Sequence, residues 1–370
     1  MTRAAGGVRL ASVAVLVLAA AGQAAVAAPR DDLLRRAEAA LTKGDAAVAT
    51  EAFERAAAML HAADTEMGLV RAAMQAGRYR QALAFSAHVA GGHLESPAAG
   101  ALYAWLLRVG GQTRVSDRVL AETLARAPAD RVAAAAQSAF AAPWPVARGV
   151  LLDSPHRMAP EDIGRADADR VPANSRVASS GVLIAGGRRA LVPRAAVTPP
   201  ADGRLWVSNG LGEASPATLD DDPMFAALGI AVLRLERALP FAAGDEAAAQ
   251  DPYAGSPGFV VEYAAGDGAR PAWPWLRQGF IGAASRDGVR RLGIDIADGP
   301  HGGLVMDAQG RVAGIARRQA DGSAAFVPVS LWGATGAGAA ASAPTALRLV
   351  TADEAYERAL RLTLQIIVPL

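Results

Sequence analysis

The chain changes its hydrophobic period near the middle, and that change divides what it can fold into. From Asp31 to about Ala136 it is dense in alanine, leucine and arginine, and its prolines are Pro97 and Pro128. These are good helix formers, and their apolar members recur at three-to-four spacing. Gly44, Gly77 and Gly111 interrupt the helical stretches 33 and 34 residues apart. A fixed period of that size signals one supersecondary unit stacked on copies of itself. Beyond Arg176 the pattern becomes short apolar runs separated by Gly, Pro and Asp, such as Val182-Leu183-Ile184, Ala190-Leu191-Val192, Ile230-Ala231-Val232-Leu233 and Phe259-Val260-Val261. Many short strands at close spacing predict an all-β barrel or sandwich.

Within the helical half, Ala37 provides a small residue in the first helix. After Gly44 and Asp45 come Ala49, Phe53 and Ala56, in a small, aromatic, small order. The second unit has Gly77, Tyr79 and Ala82, followed by Ser86 and Val89. The third has Ala104, Gly111 and Ser116 and ends on Pro128. Small residues let helix backbones approach, and one aromatic knob fills the hole opposite. This pattern resembles the tetratricopeptide repeat, whose period is ~34 residues. The resemblance implies three antiparallel helix pairs and a concave surface for a protein or peptide partner. Such repeats do no chemistry. Three are near the minimum for independent stability, so this half is expected to lean on its neighbour. Met59, Met67 and Met74 are expected in packing. His61, His88 and His93 show no metal-ligand spacing and are expected as surface or cap residues, so no metal is expected.

The charge balance is close to neutral, +1, which asks for neither a nucleic acid nor an anionic membrane. With 52% hydrophobic and 20% charged residues a packed core is feasible. The absence of cysteine excludes disulfides, thiolate zinc sites, cysteine nucleophiles and lipid attachment at an N-terminal cysteine. Arg3 and Arg9, the apolar run Leu10 to Ala20 and Ala25-Val26-Ala27 read as a signal peptide over 1–27, cleaved after Ala27. The expected location is therefore the periplasm or another part of a bacterial envelope, with no membrane span after cleavage. Prolines at 143, 145, 155, 160 and 172 mark 137–176 as a linker.

Three segments of the second half carry a further resemblance. Ser180-Gly181-Val182-Leu183-Ile184, followed by Ala190 to Val197, resembles a Ser-Gly strand leading to one that ends T-x-x-H-V. Gly229-Ile230-Ala231-Val232-Leu233-Arg234-Leu235 resembles D-I-A-V-L-x-L. Gly299-Pro300-His301-Gly302-Gly303 and the hairpin to Ile315 resemble G-x-S-G-G-P and its sequel. In this order they resemble trypsin-like serine peptidases, which implies a double β-barrel over 177–364, with Ala352 to Leu364 as a closing helix. The family's mechanism needs a serine, a histidine and an aspartate. Here Ala195, Gly229 and His301 fall at the histidine, aspartate and serine positions. Alanine accepts no proton, glycine orients no base, and imidazole forms no acyl-serine. No catalytic residue and no cofactor is therefore expected. Gly299, His301, Gly302 and Gly303 would form a vestigial oxyanion loop. The loop either still accepts a carbonyl or carboxylate, or its glycines only make a tight turn. The expected function is an exported adaptor with a silent peptidase domain. The alternative is an active hydrolase with displaced groups, for which Asp220 to Asp222, Ser179, Ser180, Ser256 and Ser285 are candidates. Restoring a single triad member is expected to do nothing, because the three act as a unit.

Overall fold

The computed structural model describes residues 29–141, 171–172, 174–197, 204–220, 223–242, 247–248, 250–267, 273–298, 302–332 and 348–370. The expected signal peptide and most of the linker lie outside these residues. Among the described residues, no helix is long and apolar enough to cross a membrane.

Helices α1 (29–43), α2 (Ala46–Met59), α3 (Ala63–Gln75), α4 (Tyr79–Gly92), α5 (Pro97–Val109), α6 (Thr113–Arg126) and α7 (Arg131–Ala141) come first. The three glycine turns are built identically. Gly44, Gly77 and Gly111 have φ of 78, 70 and 84°, in the left-handed region that a side chain rarely occupies. Their amides donate to Leu41, Met74 and Arg108 carbonyls, and those of Asp45, Arg78 and Gln112 donate to Ala40, Ala73 and Leu107. This double bond pattern closes a helix end on a left-handed residue, so the 33- and 34-residue period is a structural repeat. Helix pairs interlock through side chains set against glycine. A Cβ at Gly68 would meet the Phe53 ring at 2.2 Å, and one at Gly110 would meet the Tyr79 hydroxyl at 1.9 Å.

The second half is two closed antiparallel barrels. The first contains β1 (Ser175–Ile184), β2 (Arg189–Pro193), β3 (Arg204–Asn209), β4 (Ala214–Asp220) and β5 (Ile230–Leu235), with α8 (Pro223–Ala227) before β5. Its sixth strand is β13 (Thr363–Pro369), which inserts between β1 and β3. The edge strand β7 (Gly266–Asp267) adds to β1. The second barrel closes in the order β10-β11-β12-β9-β8-β6. Its strands are β6 (Pro257–Glu262), β8 (Trp275–Ala284), β9 (Arg290–Gly293), β10 (Leu304–Asp307), β11 (Val312–Arg318) and β12 (Ala324–Pro328). Helical repeats followed by a trypsin-like double barrel is thus the architecture.

The expected closing helix is α9 (Ala352–Leu362), started by a reciprocal capping box between Thr351 and Glu354. It ends two residues before the expected limit, and the chain continues directly into β13. Strands β1, β3 and β13 bury Val182, Leu183, Leu205, Val207, Leu364 and Ile366 completely.

The helical half does lean on the barrels. Trp273 is 3% exposed. Its ring lies 6.0 Å from both Tyr79 and Trp105 and 6.1 Å from Tyr356, while Tyr79 and Tyr356 meet edge-on at 4.5 Å. One continuous buried cluster runs from Val70 and Trp105 to Ile366 and Trp332. Arg80 reaches Glu357 at 3.1 Å and Glu354 at 3.3 Å on the rim of this contact. Of the three methionines expected in packing, Met74 is in the core, Met67 is packed against it and Met59 is exposed.

Candidate active-site cleft

Ala195, Gly229, Gly302 and Gly303, four of the positions singled out by the peptidase resemblance, are described at the seam between the barrels. Ala195 sits in the single 3₁₀ turn Arg194–Ala196 that ends β2, and it is exposed. Gly229 precedes β5 with φ of 70°. Strand register pairs Pro193 with Ile230, and the Arg194 amide donates to the Gly229 carbonyl at 3.1 Å. From the second barrel, Gly302 approaches so closely that a Cβ there would lie 2.3 Å from the Ser180 carbonyl oxygen and 2.4 Å from Pro193 Cδ. Gly303 faces Val260 and Glu262, with a Cβ meeting them at 3.0 and 3.1 Å. Gly299, Pro300 and His301 lie outside the described residues, as do Asp221 and Asp222.

An arginine stands where the aspartate position opens. Arg317, on β11, donates from Nη1 to the Leu228 carbonyl at 2.6 Å. A Cβ on Gly229 would sit 2.7 Å from the same Nη1. Four of the candidate replacements, Asp220, Ser179, Ser180 and Ser285, are engaged elsewhere. Asp220 is paired with Arg234 at 3.1 Å. The Ser180 hydroxyl is fully buried and accepts from the Tyr263 amide at 2.7 Å, and that of Ser179 donates to the Ser180 carbonyl at 2.8 Å. The Ser285 hydroxyl is shared between Asp287 and the Val289 carbonyl. Ser256 lies just before β6, and its backbone carbonyl accepts from Ile281. Among the described residues no histidine belongs to the barrel half: beyond the repeats the sequence offers only His156 and His301.

One titratable group in this region was not foreseen. Glu262, at the end of β6, is wholly buried beside the glycine loop. Its Oε1 accepts from the Ala297 amide at 3.2 Å, and among the described residues Oε2 has no hydrogen-bond partner. Burial pushes its carboxyl up to about 7, against the Ala297 hydrogen bond and the attraction of Arg277. The ordinary value is 4.5. Between these two pH values the folded protein holds a proton that the unfolded chain has released. Stability therefore falls as pH rises through that window, by about 3 kcal/mol in total. Glu262→Gln is expected to remove this slope. Urea midpoints at about pH 5 and about pH 8 check it: they should differ for wild type and nearly coincide for the variant.

The repeat histidines require an addition. They are surface or cap residues, as expected, but they are not independent of one another: His61, His88 and His93 gather around the buried Glu66. His93 is indeed the C-cap of α4, and His61 is largely exposed. Spacing along the chain hid the cluster, because its members come from the loops and helix ends of neighbouring repeats. The signal was the 32-residue separation of His61 and His93, one short of the repeat, which stacks one loop on the next.

A further concavity of about 410 Å³ lies where the Gly111 turn meets β8, lined by Arg108, Thr113, Arg277, Gln278 and Asp295 among others. It holds no nucleophile–base pair.

Fold and site together define two closed antiparallel barrels whose seam presents an alanine, a glycine and an arginine, fused to helical repeats. No protein-family model matches the chain, and no curated protein does. Among solved structures, it is similar to the MamO protease domain from Magnetospirillum magneticum in its apo form. That match covers 44% of this chain and 94% of that one, at 19% identity and a TM-score of 0.31. It is also similar to the serine endoprotease from Yersinia pestis, over 47% of this chain and 64% of that one, at 18% identity and a TM-score of 0.32.

Proposed function

We propose that this protein is an exported protein-binding adaptor. Its tetratricopeptide-like repeats hold a protein or peptide partner, and its trypsin-fold domain is catalytically silent. No cofactor and no nucleic acid enter this reading, and the location is the bacterial envelope. The observation that carries it is Arg317. A guanidinium fills the place from which an aspartate would orient the base, and it is anchored to the backbone carbonyl of Leu228. Ala195 beside it has no proton-accepting group. Removing the triad leaves at most the oxyanion hole and binding.

The wild type is expected to show no casein cleavage and no labelling by a serine-reactive fluorophosphonate. The triple change Ala195→His, Gly229→Asp and His301→Ser is also expected to stay silent, because the new aspartate would pair with Arg317 instead of orienting the base. Adding Arg317→Leu to the three changes is the combination expected to gain weak labelling. Hydrolysis by wild type that His301→Ala abolishes would overturn the reading.

A second reading, an active hydrolase with displaced groups, is favoured by Glu262. A buried carboxyl poised near neutrality beside a glycine loop is a feature of functional sites. Loss of a measurable hydrolysis in Glu262→Gln would establish it.

A further inference from the structure

The Glu66 cluster lies at the edge of the repeats opposite the Gly77 turn, because α3 and α4 run antiparallel. His61 follows the C-cap of α2, Glu66 is in the first turn of α3, and His88 and His93 end α4. The Oε1 of Glu66 is 2.8 Å from His61 Nδ1 and 3.8 Å from His88 Nε2. Its Oε2 is 3.2 Å from His93 Nε2. Glu66 is 4% exposed and His93 8%.

The protonation geometry singles this group out. His93 Nδ1 faces the Glu95 carboxylate at 3.0 Å, an acceptor that claims the Nδ1 proton. In neutral imidazole that leaves a lone pair on Nε2, and Nε2 points at the Glu66 Oε2 lone pairs. Neither of these two buried atoms makes a hydrogen bond among the described residues. With the proton on Nδ1, two buried acceptors face each other at this distance, an arrangement that a shared cation relieves. A proton can serve, and so can a metal ion. Ligand atoms of His61, Glu66 and His93 all lie within 4.8 Å of one another. Bonds of 2.0–2.1 Å in a tetrahedral centre place ligand atoms about 3.3 Å apart, within the 4.8 Å that spans the three ligand atoms here. The His93–Glu95 contact is the outer carboxylate that fixes the tautomer of a metal-bound histidine.

We propose that His61, Glu66 and His93 form a binding site for a divalent transition metal ion of the zinc class, with Glu95 orienting His93. Imidazole and carboxylate donors suit such ions better than calcium or magnesium. The half-exposed His88 ring, stacked on Phe85, is placed to become a fourth ligand. The ion clamps the α2–α3 connection to the end of α4, tying the first repeat to the second.

The test is titration of the chelator-treated full chain with Zn(II) alone by calorimetry, with Co(II) absorption as a reporter of coordination. One equivalent should bind, and the Co(II) spectrum should be that of a tetrahedral nitrogen–oxygen site. Glu66→Gln and His93→Ala should weaken binding about a hundredfold or more, and Glu95→Gln about 10–100-fold. His61→Ala alters an exposed ring, so its fold is safe, and it too should weaken Zn(II) binding more than about tenfold. At one fixed Zn(II) concentration near the wild-type dissociation constant, the wild-type melting temperature should rise and that of His61→Ala should rise much less. Two results would overturn the proposal. One is no saturable Zn(II) binding to wild type. The other is binding that His61→Ala leaves intact, which would assign it to another part of the chain.

Discussion

Removal of residues 363–370 is expected to abolish the folded C-terminal half. Strand β13 lies between β1 and β3, and without it both neighbours lose their backbone partners. The loss also strips Leu364, Ile366 and Val368 from the shared core. Truncating one buried Leu or Ile to Ala costs about 2–5 kcal/mol. Deleting three such side chains with their strand exceeds the roughly 5–15 kcal/mol that holds a typical domain folded. The truncated protein should lack a cooperative urea transition by tryptophan fluorescence. Ile366→Ala alone should keep a transition, shifted by about 2–5 kcal/mol. Ile366 packs on Gly181, where a Cβ would meet its Cδ1 at 2.7 Å. A truncated chain that unfolds cooperatively at the wild-type midpoint would refute this account of the barrel.

Replacement of Trp273 by alanine should destabilise the protein by about 3–5 kcal/mol, the range for large buried aromatics. Its ring touches the helical half through Tyr79 and Trp105 and the closing helix through Tyr356. The loss therefore falls on the contact between halves as well as on the local core. In wild type, probes in the repeats and in the barrels should unfold together. In Trp273→Ala the two transitions should separate, with far-ultraviolet helical signal and barrel tryptophan fluorescence no longer superimposing. A double-mutant cycle with Tyr79→Leu should return a coupling of about 1 kcal/mol, typical of an edge-on aromatic pair. Superimposable transitions in Trp273→Ala would show that the halves are joined by something else.

The parts of this architecture that were legible are those dictated by backbone conformation. Gly44, Gly77 and Gly111 are glycines because their turns demand positive φ, and that demand recurs with the repeat. The barrel strands were legible as short apolar runs between Gly, Pro and Asp, because strands buried on both faces keep few polar residues. Three features were not legible. Thr363 to Pro369 follows an amphipathic helix without a break, so a short apolar run there reads as the helix's continuation. Glu262 ends the run Phe259-Val260-Val261, and nothing in that run tells a buried carboxyl from a solvated one. Arg317 and Arg318 sit side by side on β11, where period two sends them to opposite faces. One takes the Leu228 carbonyl and the other the Ala297 carbonyl. Only the packed barrels decide which of them meets the Gly229 turn.

The closure of the first barrel also sets an order of events during synthesis. Five of its strands emerge early, and the sixth emerges only after the whole second barrel and α9 have been made. Until then β1 and β3 present open edges, the kind of surface that recruits other chains. The repeats, made first and held together by contacts local in sequence, can be complete while that gap persists. The nascent protein therefore passes through a stage with finished helices and an unfinished barrel. During that stage a chaperone, or the slot's own late strand, competes with neighbouring molecules for the same row of amides and carbonyls.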